Sequence, residues 1–151
     1  PDLEKEYLLD AEHVIVGHES HPLASIPRVT PEDLLEYPFI GFADDYAGVG
    51  RMEKFFASHG LHSPGLSVET SSLEMLLSLL ATGGFLASFS TQILDRSRQM
   101  GLCRINLSES FWRFKVGAVY RRGAQLSPLV GILLRALQLK LKETSGKSRP
   151  S

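Results

Sequence analysis

Short apolar runs alternate with amphipathic segments along most of the chain, and the two kinds of segment predict different elements. A short apolar run closed by polar or turn residues predicts a buried strand. Six segments predict strands, by such a run or by alternation of apolar and polar residues: 13–17, 39–42, 66–70, 85–89, 102–107 and 111–121. Helical spacing or helix-start signals mark residues 30–37, 51–59, 73–82, 91–100 and 127–143. Strands that alternate with helices imply an α/β fold, with a mostly parallel sheet covered on both faces.

Threonine, proline and glycine mark where several of these helices begin and end. Thr30 and Pro31 occupy the N-cap and the first helical position of the first helix. Gly60 and Gly101 stand where glycine commonly terminates a helix. Residues 44–50 contain two glycines and predict a loop that leads into the second helix.

The last predicted helix begins at Ser127–Pro128 and carries an apolar stripe. The residues of the stripe fall at helical spacings: Val130, Leu133, Leu134, Leu137 and Leu141. Such a stripe must pack against a partner, and an exposed one favours association. We therefore expect the chain to form a dimer or a higher oligomer. Residues 144–151 are polar and predict a disordered tail.

Composition narrows the class of protein. A chain of 151 residues, of which 43% are hydrophobic, is long enough and apolar enough for one globular domain. The formal net charge of −1 shows no basic excess, which argues against autonomous DNA binding. Cys103 is the one cysteine, so an internal disulfide is excluded. We interpret it as a small buried hydrophobe.

The sequence also bears on cellular location. It contains no recognisable signal peptide and no apolar run of membrane-spanning length. A single cysteine fits a reducing cytoplasm, which is the location we expect. Because the first residue is Pro1 rather than methionine, we expect a fragment or a processed product.

Three hydroxyl side chains, Thr70, Ser71 and Ser72, lie where a strand becomes a helix. In an open α/β sheet this corner binds small ligands, because unpaired N–H groups at the helix start point into the crevice. Ser71 and Glu74 predict a capping box, which is a structural role. Thr70 and Ser72 are not needed for that box. They are the better candidates for hydrogen bonds to a ligand carboxylate or hydroxyl.

The second candidate is the predicted loop 44–50, which contains Tyr46, Ala47 and Gly48. It follows a strand and leads into a helix, so it should occupy the same rim of the sheet. Its glycines permit close approach of the backbone to a ligand. A plain turn remains the alternative, because the full dinucleotide-binding and phosphate-loop patterns are missing.

Neither a metal site nor a catalytic set is predicted, and no cofactor is expected. Two histidine pairs lack a third ligand: His18 with His21, and His59 with His62. The Gly-x-Ser-x-Gly pattern of a nucleophile elbow is absent from the sequence. A small hydrolase that uses Ser88 or Ser90 with a histidine is the remaining enzyme alternative. It has no identifiable base or oxyanion loop, so we do not expect an enzyme.

Five motifs in a fixed order carry a family resemblance. They are His21-Pro-Leu-Ala24, Pro38-Phe-Ile40, Phe55-Phe-x-x-x-Gly60, Glu69-Thr-Ser-Ser-x-Glu74 with the apolar run from Leu76 to Gly83, and Val119-Tyr-Arg-Arg-x-x-x-Leu-Ser-Pro128. Over residues 3–143 the chain resembles the effector-binding domain of LysR-type transcriptional regulators. Each motif is weak alone, and the ordered series is specific.

The resemblance implies a periplasmic-binding-protein-like fold of type 2, in which two α/β lobes are joined by crossover strands. On that basis residues 1–19 end the first lobe and include the first crossover strand, 20–115 form a complete second lobe, and 116–143 return to the first lobe. The implied hinge residues are Gly17, His18, Gly117 and Ala118. A small anionic effector would lie between the lobes and meet Tyr46–Gly48 and Thr70–Ser72.

The resemblance also implies partners and a mechanism. The family's winged helix-turn-helix is absent from the sequence, as is most of the first lobe, so DNA contact would come only through an N-terminal domain. A homodimer or homotetramer is implied, in which effector binding shifts the population of conformations. Where the family often has Leu-Pro, this chain has Phe89-Ser90. A free-standing solute-binding protein of the same fold is the main alternative.

Overall fold

The computed structural model describes residues 2–122 and 127–146, with the backbone alone for 142–146. The strands are β1 (Leu3–His18), β2 (Ile40–Phe42), β3 (Val68–Thr70), β4 (Ala87–Ser90), β5 (Leu102–Arg104) and β6 (Trp112–Arg121). The helices are α1 (Pro31–Leu34), α2 (Tyr46–Ser58), α3 (Leu73–Leu80), α4 (Thr91–Ser97) and α5 (Pro128–Gly146). Short 3-10 turns occupy Pro22–Ser25 and Arg98–Met100.

The chain divides into two compact units. The first comprises Pro1–Ala11 and Phe114–Ser151, and the second comprises Glu12–Arg113. Both β1 and β6 continue from one unit into the other as unbroken strands. The lobe borders expected from the sequence, at 19/20 and 115/116, stay predictions.

In the second unit β1 lies between β4 and β5, and β2 lies beside β3. Strand β2 pairs with β3 in parallel, and a parallel bridge between Phe39 and Leu86 joins β2 to β4. Strand β1 runs antiparallel to both β4 and β5. Strands β2, β3, β4 and β5 therefore share one direction, which confirms the mostly parallel sheet and adds an antiparallel β1.

Alternation along the strands gives this sheet two buried faces. On one face Phe39 packs with Met52, Phe55 and Phe56 of α2. On the other, Ile40 packs with residues of α3 and α4. Burial of one such side chain contributes about 1.5–3 kcal/mol. Both layers of helices are therefore held by the same strands through alternate residues.

In the first half of the chain, the start of one strand and the start of one helix differ from the positions predicted from the sequence. Strand β1 begins at Leu3, ten residues before the predicted segment 13–17, because pairing with β6 supports residues whose mixed polarity gave no strand signal. The predicted loop 44–50 is wrong, because α2 begins at Tyr46. The Asp45 carboxylate caps this helix by accepting a hydrogen bond from Gly48 N–H at 2.9 Å.

The N-cap of α3 is Ser72 rather than Ser71. The Oγ of Ser72 accepts from Met75 N–H at 3.2 Å, so the predicted capping box of Ser71 with Glu74 is wrong. The helix begins at Leu73, as the sequence predicted, and ends at Leu80, two residues before the predicted end. The N-cap predicted at Thr30 is confirmed, and the structure adds a capping box in which Asp33 is the partner.

The first unit pairs β6 with the first half of β1, and it also contains α5. A Cβ on Gly117 would lie 2.7 Å from the Glu6 carbonyl oxygen, so the pairing leaves room for glycine alone. The helix α5 starts beside Ser127, whose Oγ accepts from Leu129 N–H. It continues to Gly146. The disordered tail predicted for residues 144–151 stays a prediction, and residues 147–151 lie outside the described residues.

Candidate functional site

A shallow pocket opens at the carboxyl end of β2 and encloses about 360 Å³ of space that includes open solvent. Its walls come from β2, β4, the first turns of α2, the helix α3 and the segment before β3. The lining residues are Ile40, Gly41, Phe42, Asp45, Gly48, Val49, Met52, Leu66, Leu76, Ser88 and Phe89. Most of these side chains are apolar, and Asp45 and Ser88 supply the polar groups.

The start of α2 reaches this pocket through one of its three predicted residues. Gly48 lines the pocket, and a side chain there would overlap the Asp45 carboxylate. Tyr46 is 81% exposed and Ala47 is also exposed, and neither is among the lining residues. The glycine that the sequence attributed to a loop is therefore required by a helix cap beside the pocket.

The start of α3 lies at the same sheet edge. Phe42 pairs with Thr70, and Ala43 N–H donates to the Thr70 carbonyl at 3.2 Å. The Oγ1 of Thr70 accepts from Ser72 N–H at 3.1 Å and lies 3.7 Å from the Met75 sulfur. Both hydroxyls that the sequence favoured for a ligand are therefore engaged at the helix start.

Ser71 has the opposite outcome. It is exposed, and within the described residues its hydroxyl has no hydrogen-bond partner. The sequence assigned it to the helix cap, and the structure leaves it free to meet a ligand. The first N–H groups of α3 lack intrahelical acceptors because of their position, so the corner keeps donors for an anion.

Sequence reasoning missed a polar cluster next to the pocket. The Oγ of Ser88 lies 3.3 Å from Nδ1 of His13. The His13 ring packs on Trp112 with centroids 4.8 Å apart, and the Arg51 guanidinium lies 4.9 Å from the same indole centroid. Burial lowers the pKa of His13, and the negative charge of Asp45 opposes that shift. The pairing of β1 with β4 brings His13 next to Ser88.

Glu12 fixes the neighbouring segment by several contacts. Its Oε1 lies 3.4 Å from Arg104 Nη2 and 3.7 Å from Arg113 Nε. The hydroxyl of Ser110 donates to the same oxygen at 3.4 Å. The ends of β1 and β6 within the second unit are thereby tied to the loop that follows β5.

The remaining histidines and the predicted hinge residues have separate surroundings. His21 is 2% exposed, and its Nδ1 accepts from Leu23 N–H. His59 pairs with Glu109 at 2.7 Å. Among residues 2–122 and 127–146, no group of three His, Cys, Asp or Glu side chains could hold a metal ion. Gly17 and His18 lie in β1 opposite β5, and Gly117 and Ala118 lie in β6.

No helix in the described part of the chain is long and apolar enough to span a bilayer. Cys103 lies half-buried in β5, and burial raises the pKa of its thiol. The interpretation of Cys103 as a buried hydrophobe is therefore met only in part. Its thiol has the opposite shift from that of a reactive cysteine.

Comparison with known proteins gives a consistent result. Residues 1–142 match a family model described as the LysR substrate binding domain. The chain is 27% identical over 125 residues to the transcriptional regulator CysB of Burkholderia cenocepacia, covering 83% of the chain and 40% of CysB. The chain thus spans less than half the length of this relative.

Two solved structures show the same fold. The regulatory domain of CcmR from Synechocystis, in complex with 2-PG, superposes with a TM-score of 0.77 at 21% identity, covering 99% of this chain and 70% of that one. The effector-binding domain of QuiR, in complex with shikimate, superposes with a TM-score of 0.71 at 17% identity, covering 95% and 67%. The periplasmic-binding-protein-like α/β fold expected from the sequence is confirmed.

Proposed function

The chain belongs to the LysR substrate binding domain family, and from that premise we propose that it is the ligand-sensing domain of a transcription regulator. The named relatives are transcriptional regulators, and none of these comparisons indicates an enzyme family. They favour a regulator over a free-standing solute-binding protein. A cytoplasmic location belongs to the same proposal.

The ligand we propose is a small anionic metabolite. The observation that carries this proposal is the sheet edge where α2 and α3 both begin beside the apolar pocket. Free N–H groups at a helix start favour negative charge. The corner Thr70–Ser72 and the segment Tyr46–Gly48 are the proposed contacts. The complexes of similar domains with 2-PG and shikimate support a small polar ligand.

The proposed mechanism is a shift between conformations of different ligand affinity. Gly17, His18, Gly117 and Ala118 are the positions at which we propose that the chain bends. A homodimer or homotetramer would transmit the change, and a separate N-terminal domain would contact DNA. Ligand binding then alters how those DNA-binding domains are presented.

Thermal shift against small carboxylates, sugars and sugar acids tests the site. At a hundredfold excess over Kd, a bound compound stabilises the chain by about 2.7 kcal/mol. Ser71→Ala removes an exposed hydroxyl without a described partner, so it should leave the unliganded melting temperature unchanged and weaken the response. Ser72→Ala should lower both the unliganded melting temperature and the ligand response, because it also removes the α3 cap.

Thr30→Ala is the matched control for Ser72→Ala. It removes the side-chain cap of α1 and the capping box, away from the pocket. We expect it to lower the unliganded melting temperature while keeping the full ligand response. Equal responses in wild type, Ser71→Ala and Ser72→Ala would refute the proposal that the corner Thr70–Ser72 contacts the ligand. A panel without any stabilising compound would count against the proposal that the ligand is a small anion.

A further inference from the structure

Ser88 connects the pocket with the strand behind it. It lines the pocket, and its Oγ lies 3.3 Å from Nδ1 of His13. A hydroxyl has one proton and two lone pairs, so its partner on one side restricts what it presents on the other. The polarity that Ser88 shows to a ligand is therefore set by His13.

Protonation of His13 fixes that polarity. Imidazolium donates from both ring nitrogens, so Ser88 Oγ must accept from Nδ1 and its own proton becomes available to the pocket. A ligand carboxylate can then accept this proton in a hydrogen bond. A neutral ring that accepts at Nδ1 takes the Ser88 proton and leaves lone pairs facing a ligand.

The groups around His13 determine how readily it holds a proton. Burial opposes the charged ring, and Asp45 at the α2 cap favours it. Trp112 of β6 packs on the ring, and Arg51 of α2 lies over the same indole. On its own strand Glu12 is already bound to two arginines. The state of His13 is therefore balanced by its surroundings and responsive to added charge.

The negative charge at the pocket makes the binding of an anion depend on the protonation state of His13. Asp45 lines the pocket and contributes one negative charge. A carboxylate that entered beside a neutral His13 would meet a like charge in a mostly apolar depression, which is unfavourable. With the ring protonated, the same carboxylate meets a positive charge and the Ser88 proton. The bound carboxylate therefore stabilises the protonated ring, and the protonated ring stabilises the bound carboxylate.

We propose that His13 is a specificity-determining residue of this site, and that a ligand carboxylate binds at Ser88 together with a proton on His13. The inference rests on the function proposed above and adds a condition to it. Binding of the anion takes up a proton and strengthens as the pH falls. Ser88 supplies the contact, and His13 acts through Ser88.

The single tryptophan of the chain provides the readout. A protonated imidazole in contact with an indole quenches its fluorescence, and among the described residues the one histidine ring packed on Trp112 is that of His13. The chain is titrated from about pH 8 to about pH 5 in sodium glycolate and in sodium chloride at equal ionic strength. Glycolate is a small, transparent carboxylate.

We expect the midpoint of quenching in chloride to lie below the ordinary histidine value. In glycolate it should rise by on the order of half a pH unit, since the anion stabilises the imidazolium. His13→Gln should abolish the transition in both salts. Ser88→Ala should keep the transition in chloride and lose the shift in glycolate.

Ser90→Ala is the matched control. Ser90 lies opposite His13 in the ladder between β1 and β4, but it is not among the residues that line the pocket. The shift in glycolate should survive this change. Far-UV circular dichroism shows whether each variant retains the fold.

A midpoint that glycolate leaves unmoved in wild type, or moves equally in Ser88→Ala, would overturn the proposal. The sensing function survives that result if compounds of the panel stabilise the chain equally at about pH 6 and about pH 8. The reverse result, a glycolate shift that requires Ser88 with no stabilising compound in the panel, supports the proton coupling and counts against the wider function.

Discussion

The two units differ sharply in how they bury apolar side chains. In the unit Glu12–Arg113, both faces of the sheet hold almost fully buried residues such as Phe39 and Phe56. Within the described part of the other unit, Ala11 is the hydrophobic residue in the core. There Leu129 and Leu139 of α5 are 76% and 64% exposed.

The difference shows what an amphipathic pattern does and does not specify. Both α3 and α5 carry apolar stripes, but α3 covers a sheet face with buried residues such as Leu76 and Leu80, whereas α5 leaves much of its apolar surface exposed. A sheet with helices on both faces closes its core. Two strands and one helix leave part of their apolar surface uncovered. An apolar stripe predicts the need for a partner, and the rest of the fold decides whether the partner is present.

The largest expected effect comes from opening the core of the larger unit. Phe56→Ala removes a side chain that is 1% exposed, and it should lower the free energy of unfolding by about 3–5 kcal/mol. Leu139→Ala, on the exposed side of α5, should change it by less than about 0.5 kcal/mol. Urea unfolding followed by circular dichroism measures both. Equal losses would mean that the two units do not differ as described.

Acid should destabilise the larger unit through its buried histidines. Burial lowers the pKa values of His13 and His21 below the ordinary histidine value. The unfolded chain then binds more protons, so this stability is present above about pH 6.5 and is lost as the pH falls. Each histidine contributes at most about 1.4 kcal/mol per pH unit. Urea unfolding of wild type and His21→Gln between about pH 5 and about pH 8 measures the slope.

His59 supplies a contrast of opposite sign. The Phe55 carbonyl and the Glu109 carboxylate raise its pKa, so its contribution is present below the ordinary histidine value and is lost as the pH rises. The pair is solvent-exposed, and its effect should be smaller than that of His21. Glu109→Gln should reduce this contribution, although the Phe55 carbonyl remains, and should steepen the loss of stability in acid. An unchanged pH profile of the free energy of unfolding in Glu109→Gln would contradict this role of the His59–Glu109 pair.

Helix caps should matter more where the helix packs into a core. Thr30→Ala removes the side-chain cap of α1, whose Leu34 is buried, and it should cost about 1 kcal/mol. Ser127→Ala removes the corresponding bond to Leu129 N–H at α5. We expect a smaller change there, because the start of α5 is exposed and can unwind locally. Hydrogen exchange of the two first turns separates these outcomes.

The smallest effect on stability, and the clearest effect on mass, should come from the exposed side of α5. We predict that the chain associates through this surface, to which Leu129 and Ile132 contribute. Leu129→Lys with Ile132→Lys should leave the free energy of unfolding of the larger unit nearly unchanged and give a monomer. Light scattering at micromolar concentration measures the mass. A wild-type monomer would refute association.

The sequence predicted elements best where local chemistry decides them. The cap at Thr30 and the helix end at Gly101, which adopts a φ of +73°, follow from residues within one turn. The start of α2 was missed because Gly48 and Gly50 lie among its first five residues, and the cap bond from Gly48 N–H to the Asp45 carboxylate is visible only in the structure. The roles of Ser71 and Ser72 were exchanged because both satisfy the same capping rule at adjacent positions.

The site was predictable only in outline. That α2 and α3 begin at one sheet edge follows from the order of strands and helices. The contact of His13 with Ser88 joins residues 75 positions apart, and it depends on the antiparallel ladder between β1 and β4. Nothing in the local pattern around either residue indicates that ladder. Long-range pairing therefore decided which hydroxyl of the site has a titratable neighbour.

The continuity of β1 from Leu3 to His18 has a consequence for how this chain can change in evolution. One strand supplies side chains to both units, and its alternation is counted without a break across Ala11 and Glu12. Loss of a single codon there would turn every residue on one side of the lesion to the opposite face. The two units therefore cannot be replaced independently of one another by a break in the chain between Ala11 and Glu12.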